Sequence, residues 1–522
     1  MKSRSAKTLM FLGTGSDVGK SVLAAAFCRI FKQDGYGVAP FKAQNMALNS
    51  YITPEGGEIG RAQAVQAEAA GIAPHVDMNP ILLKPTSSMG SQVIVLGKAI
   101  GNFSAKEYYA YKKELVSVVQ KAFERLAACY DIVVLEGAGS AVELNLKEHD
   151  LVNLAMARLA QSPCLLVGDI DRGGLFAALL GSLMLMEKEE QALIAGFIVN
   201  KFRGDPDLFQ TGVRILEERS HRPVLGVIPY FQHIAVPEED SVALARRVKK
   251  RSEVQECSER YRIGVVRLPY ISNYTDFDCL ERDSRVDLVY FEKPPDVFRC
   301  DAVILPGSKN TIEDMLSLER SGMADALRAY HKSGGILVGI CGGYQMLGRR
   351  IVDPLGTESR VQETQGLGLL PMITEMASEK ITSQVIARLR LPSPLGSEDL
   401  FPLHGYEIHM GRSRFEDGAF TQALLEVVQR NGLDVPFHEA ADGAWTDDGR
   451  VWGTYLHGIF DNDSFRDRFL AFVAARKGKS SDGQTSQPFQ FFRWKEEQYD
   501  LLADFVRRHC DVDRIYRIMG LK

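Results

Sequence analysis

Residues 8–31 form the stretch that most constrains the fold, and they read TLMFLGTGSDVGKSVLAAAFCRIF. An apolar run is followed by glycines at positions 13, 15 and 19 and then by apolar residues at helical spacing. This order predicts a buried strand, a tight loop and an amphipathic helix. Such a unit is typical of a parallel α/β sheet, because each strand there is followed by a helix that covers the sheet.

The loop of this unit has the composition of a phosphate cradle. Backbone N–H groups of a glycine-rich loop bind phosphates, a lysine reaches the terminal phosphate, and a serine hydroxyl can bind Mg²⁺. The common form has glycine where this chain has Thr14, so the loop is one residue longer when counted from Gly13. We therefore predict an ATP-binding loop made of Gly13, Thr14, Gly15, Asp17, Gly19, Lys20 and Ser21.

Three later apolar stretches in the first half also end in polar residues. Residues 36–50 read YGVAPFKAQNMALNS, residues 131–140 read DIVVLEGAGS, and residues 163–174 read PCLLVGDIDRGG. Ligands of open parallel sheets bind at the carboxyl ends of the strands. Glu136 at such a strand end can hold Mg²⁺ or orient the nucleotide phosphates through water, and Lys42 lies at the end of the preceding strand. The candidate substrate contacts are Gln44, Asn45, Asp169, Asp171 and Arg172.

The remaining pattern divides the chain into two domains. Residues 56–71, GGEIGRAQAVQAEAAG, predict a helix that begins near Glu58 and has a solvated face. Strands and helices then alternate to about residue 236, which predicts one doubly wound α/β domain over residues 1–236. The charge-rich segment 237–261 lacks a sustained apolar face and is the predicted linker. A second α/β domain with C-terminal helices is predicted over residues 262–522.

The second domain contains a cysteine at a sharp turn, in the sequence GGILVGICGGYQML of residues 334–347. A buried strand leads into Cys341, and helical spacing follows Gly342 and Gly343. The two glycines remove side chains that would block such a turn. A turn of this kind exposes a nucleophile above a helix N-terminus, which stabilises a thiolate and offers N–H groups to an oxyanion.

A nucleophilic cysteine needs a base in the same domain. His404, His409 and His457 lie at the ends of apolar or alternating segments, HGYEIHMGRS at 404–413 and RVWGTYLHGIF at 450–460. A single histidine in such a place is more often a hydrogen-bonded core residue than a base. His457 is the predicted base, because Gly458 follows it and the cysteine requires a partner.

Composition limits the classes of function. The chain has 522 residues, 45% of them hydrophobic, and a net charge of -5, which argues against a general nucleic-acid binder. Its eight cysteines show no spacing typical of a metal site or a disulfide framework. The apolar run near the N-terminus is too short for a signal peptide, and none approaches the length of about 18 residues that a membrane helix needs. We therefore expect a cytoplasmic protein without nucleic-acid or membrane partners, and the sequence does not determine its oligomeric state.

These motifs together resemble a known family. The segments GICGGYQMLG, LPGS and GTYLHG resemble a class I, triad-type glutamine amidotransferase domain of flavodoxin-like fold. The first half resembles the ATPase of dethiobiotin synthetase and its relatives. The fusion, with FKAQNMALNS, EIGRAQAVQAEA, DIDRGG, ISNYTDFD and GYEIHMG, resembles the cobyric acid synthase family of the cobalamin pathway over nearly the whole chain.

The resemblance implies a reaction and roles for residues. ATP and glutamine, with Mg²⁺, would amidate the b, d, e and g carboxylates of adenosylcobyrinic acid a,c-diamide. Cys341 would attack glutamine, His457 would be its base, and Gly342 and Gly307 would supply oxyanion N–H groups. Ser21 and Glu136 would hold Mg²⁺, and Lys42 would neutralise the γ-phosphate or the substrate carboxylate. Many amidotransferases of this class have a glutamate two residues after the histidine, where this chain has Ile459. The pair would therefore lack a third member or use another acid, such as Glu407.

Three alternatives stay open at the level of sequence. The first is cobyrinic acid a,c-diamide synthase, which has the same two domains and accepts a less amidated corrinoid. The second is a partition-type regulatory ATPase with a decayed amidotransferase domain, against which the intact Cys341 and His457 argue. The third is a ligase for a cell-wall carboxylate.

Overall fold

The structure is a computed structural model, and it describes residues 6–87, 90–231, 233–237, 260–416, 422–477 and 489–522. Most of the predicted linker, residues 238–259, lies outside the described residues. In chain order, the strands are β1 (Lys7–Gly13), β2 (Val38–Phe41), β3 (Gln44–Met46), β4 (Ser50–Ile52), β5 (Glu58–Gly60), β6 (Ile81–Ser87), β7 (Gly90–Val95), β8 (Lys98–Ser104), β9 (Ile132–Glu136), β10 (Cys164–Asp169), β11 (Ile194–Phe202), β12 (Val224–Pro229), β13 (Tyr261–Val266), β14 (Val286–Phe291), β15 (Ala302–Leu305), β16 (Ile336–Ile340), β17 (Arg350–Val352), β18 (Glu363–Gln365), β19 (Met372–Leu389), β20 (Leu403–Phe415), β21 (Leu425–Arg430), β22 (Leu433–Asp434), β23 (Ala441–Asp442), β24 (Ala444–Trp445) and β25 (Val451–Thr454).

The α-helices of the described residues alternate with these strands in both halves of the chain. They are α1 (Lys20–Gln33), α2 (Arg61–Ala70), α3 (Ala105–Cys129), α4 (Leu154–Leu159), α5 (Leu175–Leu185), α6 (Lys188–Leu193), α7 (Gln210–Ser220), α8 (Asp278–Arg282), α9 (Thr311–Arg320), α10 (Met323–Lys332), α11 (Gly342–Leu347), α12 (Asp463–Arg476), α13 (Phe491–His509) and α14 (Val512–Ile518).

The chain divides into two compact units whose boundaries differ from the predicted ones in two places. The first unit comprises Met1–Ala47, Glu58–Pro237 and Arg493–Lys522, and the second comprises Leu48–Gly57 and Glu238–Phe492. The C-terminal helices, which were predicted for the second domain, thus belong to the first unit. They do so because the apolar face of α13 and α14 is buried in the core that α1 forms with one face of the sheet, as Tyr499, Leu502 and Val506 show.

The first unit is built on a six-stranded sheet of order β12-β11-β10-β1-β9-β2, in which every neighbouring pair is parallel. Its register aligns Phe11 with Glu136 and Gly13 with Val167. The loop after β1 therefore starts next to Glu136 at the end of β9 and close to Asp169 at the end of β10. A smaller sheet of order β3-β6-β7-β8 belongs to the same unit.

The second unit contains a sheet of order β14-β13-β15-β16-β25-β24, in which all neighbours are parallel except the last pair. The first five positions have the order 2-1-3-4-5 of flavodoxin-like folds. Two α/β units with parallel sheets are thus present, and the predicted fold class is confirmed. The register aligns Leu305 with Gly339 and Ile340 with Thr454, so the turn at Cys341 lies between the ends of β15 and β25.

A separate sheet of order β18-β17-β19-β21-β22, with β20 paired to β19, completes the second unit. On β20, the carbonyl of Ile408 faces the turn at Cys341, because the Cys341 thiol contacts it at 3.5 Å. Among the helices that the structure describes, none is long and apolar enough to cross a membrane.

Candidate active sites

The turn at Cys341 has the strained backbone that the sequence predicts for a nucleophile. Cys341 follows β16 directly and has φ 50° and ψ -107°, in a region that non-glycine residues rarely occupy. A side chain at position 343 would collide with the carbonyl of Leu305, and a Cβ at position 342 would lie 2.8 Å from the backbone nitrogen of Ser308. The two glycines therefore let the start of α11 pack against the end of β15, with Cys341 held above it.

His457 is buried next to Cys341 and has an acidic partner. Its Nδ1 lies 2.6 Å from Oδ2 of Asp276, whose Oδ1 accepts the backbone N–H of Gly458 at 3.2 Å. Both side chains are buried. Asp276 is therefore the third member of a Cys–His–Asp arrangement, although it comes from the segment after β13 and not from the region around Ile459.

The charges around this histidine determine its protonation. Burial alone would lower the pKa of His457, but the neighbouring Asp276 carboxylate and the Cys341 thiol outweigh burial and raise the pKa to about 10. The imidazole is therefore held as an imidazolium near neutral pH. A protonated imidazole between a carboxylate and a thiol stabilises the thiolate and can give its proton to a leaving group.

The sequence left two alternatives for the third member, none at all or another acid such as Glu407, and the structure places Glu407 against Arg430 instead of His457. Both oxygens of Glu407 accept hydrogen bonds from Arg430, Oε2 from Nε at 2.8 Å and Oε1 from Nη2 at 3.1 Å. The carboxylate is neutralised there because a buried charge requires a close partner. Asp276 takes the position at His457 instead.

The loop after β15 lies against His457 and is fixed by a buried acid. A Cβ at Gly307 would lie 3.2 Å from Cε1 of His457, so the loop backbone is close to the imidazole. The Ser308 hydroxyl donates to Asp314 at 2.5 Å, and the N–H of Tyr270 donates to the same carboxyl group at 3.0 Å. Burial raises the pKa of Asp314 to about 7. The oxyanion role of Gly307 and Gly342 stays a prediction.

The other two histidines differ from His457. His409 is buried, its Nδ1 lies 2.7 Å from the carbonyl of Gly411, and its ring stacks on Tyr455 with 3.8 Å between centroids. Burial lowers the pKa of His409 to about 4, so it is neutral where His457 is charged. His404 is exposed at its side chain, and its backbone N–H donates to Asn462 at 2.8 Å.

In the first unit, the predicted phosphate loop curls around the amine of Lys20. The Lys20 Nζ donates to the carbonyls of Gly15 at 2.8 Å and Gly139 at 2.9 Å. Asp17 and Gly19 have left-handed φ angles of 59° and 102°, and Gly19 immediately precedes α1. The loop therefore has the curvature that directs backbone N–H groups and an ammonium group toward a phosphate.

Glu136 is the centre of a buried polar cluster beside this loop. Its Oε1 accepts the Ser21 hydroxyl at 2.7 Å and the Lys42 amine at 2.9 Å, and its Oε2 accepts the Gln66 amide at 2.6 Å. Burial alone would raise the pKa of Glu136, but Lys42, Ser21 and Gln66 outweigh it and hold the pKa below its ordinary value. Glu136 is therefore a carboxylate at neutral pH.

The pair of Ser21 and Glu136 fits a magnesium ion that is shared with phosphates. Hydroxyl and carboxylate oxygens are the hard ligands that Mg²⁺ prefers, and it commonly takes the rest of its octahedron from phosphate and water. Within the described ranges, no group of three or more His, Cys, Asp or Glu side chains could hold a metal ion by itself. The donor set is thus suited to a metal that arrives with a nucleotide.

Helix α2 differs from its prediction. It begins at Arg61, since residues 58–60 form β5, and its face with Gln63 and Gln66 is buried instead of solvated. The amide of Asn45 donates to Gln63 at 3.0 Å, so the predicted substrate contact Asn45 joins the cluster around Glu136. Burial of these amides is possible because they bond to one another and to the carboxylate.

The other predicted contacts lie in three different places. Arg172 donates to Asp17 at 3.2 Å and lies 3.7 Å from Asp169, so all three meet beside the phosphate loop. Asp171 instead pairs with Arg203 at 2.6 Å in an exposed position. Gln44 accepts the hydroxyl of Tyr108 at 2.6 Å.

Besides Gln63 and Gln66, two further residues of this site were not anticipated from the sequence. Lys201 donates to Asp169 at 2.8 Å and to the carbonyl of Asp17, and the amide of Asn200 donates to the carbonyl of Val18 at 2.8 Å. Both residues lie near the carboxyl end of β11, which is at the same edge of the sheet as the carboxyl end of β1. The available signal was the segment VNKFRGD at the end of an apolar stretch.

Comparisons with known proteins agree with this geometry. Residues 9–242 match the model of the CobQ/CobB/MinD/ParA nucleotide binding domain, and residues 262–465 match that of the CobB/CobQ-like glutamine amidotransferase domain. The chain is 65% identical to a cobyric acid synthase of Syntrophobacter fumaroxidans over 99% of both chains. It is 48% identical to a cobyric acid synthase of Moorella thermoacetica, over 99% of this chain and 98% of the relative.

A cobyric acid synthase of Bacteroides fragilis is also 48% identical, over 98% of each chain. These matches extend across both units, the phosphate loop and the Cys–His–Asp arrangement. The chain therefore belongs to the cobyric acid synthase family of glutamine-dependent amidating ligases.

Proposed function

We propose that this protein uses ATP and glutamine to amidate the b, d, e and g carboxylates of adenosylcobyrinic acid a,c-diamide, giving adenosylcobyric acid. The observation that carries the proposal is the presence, in one chain, of a buried Cys–His–Asp arrangement and of a phosphate loop beside the buried Glu136. The first is suited to releasing ammonia from an amide, and the second to activating a carboxylate with ATP. The product named by the similar synthases supports the choice of substrate.

In the second unit, the Cys341 thiolate attacks the amide carbon of glutamine. The C–N bond breaks when the His457 imidazolium gives its proton to the leaving nitrogen, so ammonia departs and a thioester remains. Neutral His457 then takes a proton from water, which attacks the thioester, and glutamate leaves as the thiolate and imidazolium re-form. Asp276 bonds to Nδ1 of the imidazole, which leaves Nε2 for the neighbouring Cys341 sulfur, and the N–H groups of Gly342 and Gly307 stabilise the oxyanion.

In the first unit, the corrinoid carboxylate must be activated, because a carboxylate is a poor electrophile. One of its oxygens attacks the γ-phosphorus of ATP, ADP leaves, and an acyl phosphate forms. Ammonia then attacks the acyl carbon, and phosphate leaves as the amide forms. Lys20 holds the terminal phosphates, and Lys42, fixed by Glu136 at 2.9 Å, neutralises the reacting carboxylate or the γ-phosphate.

Bound Mg²⁺ would supply positive charge to the phosphates, with Ser21 and Glu136 as its protein ligands. The ATP-binding residues are Gly13, Thr14, Gly15, Asp17, Gly19, Lys20, Ser21 and Lys42, and the proposed substrate contacts are Gln44, Asn45, Asp169, Asp171 and Arg172. Asn45 lies in the cluster around Glu136, to which it is linked through Gln63.

Mass spectrometry of the product tests the proposed substrate. Purified a,c-diamide, ATP and glutamine should give four successive products, each with one more amide. Turnover of cobyrinic acid itself at positions a and c, with no reaction of the a,c-diamide, would instead identify the sister diamide synthase. Release of glutamate and ADP without any amidated corrinoid would contradict both assignments.

The division of labour is tested by Cys341→Ala. The variant should lose glutamine-dependent synthesis but retain synthesis with ammonium salts at raised pH, where free ammonia is available. Cys300→Ala is the matched control, since Cys300 is another buried cysteine of the second unit and lies beside Gly264, away from His457. Loss of the ammonium-dependent reaction in Cys341→Ala alone would contradict separate sites for the two chemistries.

A further inference from the structure

Residues 48–57 belong to the second unit, although the chain on both sides of them belongs to the first. Strand β4 lies within this segment and packs its Ile52 against Tyr406 and Ile408 of β20. The segment is also held by side chains of β19, since Thr382 donates to the carbonyl of Gly56 at 2.8 Å and Gln384 donates to that of Ile52. Strand β4 is thus an integral part of the unit that contains Cys341.

Strand β4 contacts Tyr406, which in turn contacts His457. The ring of Tyr406 stacks on the imidazole of His457, with 5.1 Å between centroids and 15° between planes. The backbones of the two residues also exchange hydrogen bonds of 3.1 and 2.9 Å. Tyr51 of β4 packs its ring against Tyr406 at 5.4 Å, and the Tyr406 hydroxyl lies 3.5 Å from the carbonyl of Ser50.

A second contact of the same strand leads to the acid that holds the histidine. The N–H of Ser50 donates to Oδ1 of the buried Asn273 at 3.2 Å. Asn273 has a left-handed φ of 52° and begins the short turn Tyr274–Phe277, and its carbonyl accepts the N–H of Asp276 at 3.0 Å. Strand β4 therefore contacts both supports of His457, the ring that stacks on it and the turn that presents its carboxylate.

We infer that β4 positions His457 for attack on glutamine, through Tyr406 on the ring face and through Asn273 at the turn of Asp276. This inference rests on the proposed role of His457 in ammonia release. Its physical basis is that a proton can be transferred to the leaving nitrogen only if the imidazole plane and its Nε2 are correctly oriented. Displacement of a catalytic group by about 1 Å can lower a rate by a factor of about 100.

The first test replaces the stacked ring and measures glutamate release from glutamine. In Tyr406→Leu, kcat should fall by about 30- to 100-fold while KM for glutamine changes less than about threefold, because orientation and not binding is lost. Tyr406→Phe retains the ring and should retain kcat within about fivefold. Equal loss in both variants, or no loss in Tyr406→Leu, would overturn the inference.

A pH profile separates positioning from a loss of stability. The groups that face His457 are Asp276 on its turn, Cys341 at the elbow and His409 of β20. These remain in Tyr406→Leu, but the aromatic face that stabilises a cation is absent. The alkaline limb of kcat should therefore move to lower pH in Tyr406→Leu and stay unchanged in Tyr406→Phe.

The second test addresses the turn. Asn273→Gly retains the left-handed backbone and removes the acceptor of the Ser50 N–H, so kcat for glutamate release should fall by about 5- to 20-fold without a change in KM. Unchanged kcat in a folded Asn273→Gly protein would exclude the route through Asn273.

Controls distinguish this inference from the proposed function. Tyr330→Leu removes an equally buried tyrosine whose hydroxyl donates to a backbone carbonyl at 2.9 Å, far along the chain from His457, and should cost stability but not kcat. His457→Ala should abolish glutamate release. If His457→Ala is active, the proposed role of His457 in ammonia release is wrong. If it is inactive while both Tyr406 variants match wild type, only the inference about β4 is wrong.

Discussion

The phosphate loop and the cysteine elbow are both short turns between a parallel strand and a helix, but they use their backbones differently. In the loop, Asp17 and Gly19 take left-handed conformations, a curvature that lets backbone N–H groups face an anion. In the elbow, the left-handed residue is Cys341 itself, with glycines after it. The loop therefore binds with its main chain, whereas the elbow accepts strain in order to present one side chain.

The buried carboxylates beside the two turns differ in the number of side chains that they bind. Glu136 is shared among Ser21, Lys42 and Gln66, and its pKa lies below the ordinary value for a glutamic acid. The Asp276 carboxylate supports one imidazole and one backbone N–H. Loss of Glu136 should weaken a site that has other cations, whereas loss of Asp276 leaves a buried histidine without an acid partner among its described hydrogen bonds.

The largest effect is expected for Lys20→Met. Amide synthesis should fall by about 10³-fold with either glutamine or ammonium as nitrogen source, because the charge on the phosphates loses its principal cation. Glutamate release by the second unit should persist. Lys98→Met, which changes an exposed lysine, is the control. Recovery of synthesis with ammonium in Lys20→Met would show that Lys20 is not required for the ATP-dependent step, and would contradict the assignment of that step to the phosphate loop.

The next effect is expected for Asp276→Asn. Glutamate release should fall by about 10²- to 10³-fold, because the imidazole loses both its orientation and the charge that stabilises its protonated form. Glu407→Gln is the control, since Glu407 pairs with Arg430, and its rate should stay within about threefold of wild type. If the Glu407 variant is the more damaged of the two, the assignment of the third member is wrong.

The pH dependence follows from the same pair. The pKa of His457 is raised to about 10, so the stabilisation from its protonated form is complete below the unfolded value of about 6.5 and is lost as the pH rises through about 10. Wild-type glutamate release should therefore decline on the alkaline side near pH 10. In Asp276→Asn, burial dominates and the decline should begin at lower pH.

A smaller effect is expected for Glu136→Gln. The affinity for ATP in the presence of Mg²⁺, measured by calorimetry, should fall by about 10- to 100-fold, because a ligand charge is removed while Lys42 and Lys20 remain. Affinity measured with ATP and EDTA should change little. Equal losses with and without Mg²⁺ would show that Glu136 supports Lys42 and not a metal.

The smallest effect is expected for the loop backbone itself. Gly19→Ala should destabilise the protein by about 1–3 kcal/mol in denaturant unfolding, because φ is 102° and the new Cβ would collide with the Asn200 amide. Gly15→Ala is the matched control, since a Cβ there meets no atom within 4 Å. Equal stability of the two variants would show that the loop tolerates a side chain at position 19 despite the left-handed φ angle there.

The parts of both sites that are local in sequence could be predicted. Lys20, Ser21 and Cys341 each lie on a strand–turn–helix unit. The steric and electrostatic requirements of such a turn explain its residue types from the local sequence alone. Asp276 could not be assigned, because it lies 181 positions from His457 and only the tertiary fold brings them together. Its segment ISNYTDFD was recognisable, but not its partner.

Helix α2 shows a second limit of sequence reasoning. A helix rich in glutamine and charge is ordinarily solvated, so Gln63 and Gln66 looked exposed. They are buried because Glu136, 70 positions from Gln66, supplies the acceptor that makes burial of an amide affordable. The prediction that the C-terminal helices belong to the second domain was wrong for a related reason. An apolar helix face indicates that the helix is buried, but it does not indicate in which core.

Because the chain passes between its two units four times, the gene cannot be divided at a single point without separating pieces of one unit. Crossings fall at residues 47/48, 57/58, 237/238 and 492/493. A gene cut at the charge-rich segment would give a first product without the last two helices of its core and a second product without β4. Splitting this gene into two, or exchanging one half with another ligase at that junction, should therefore fail unless the short exchanged pieces travel with the unit in which they fold.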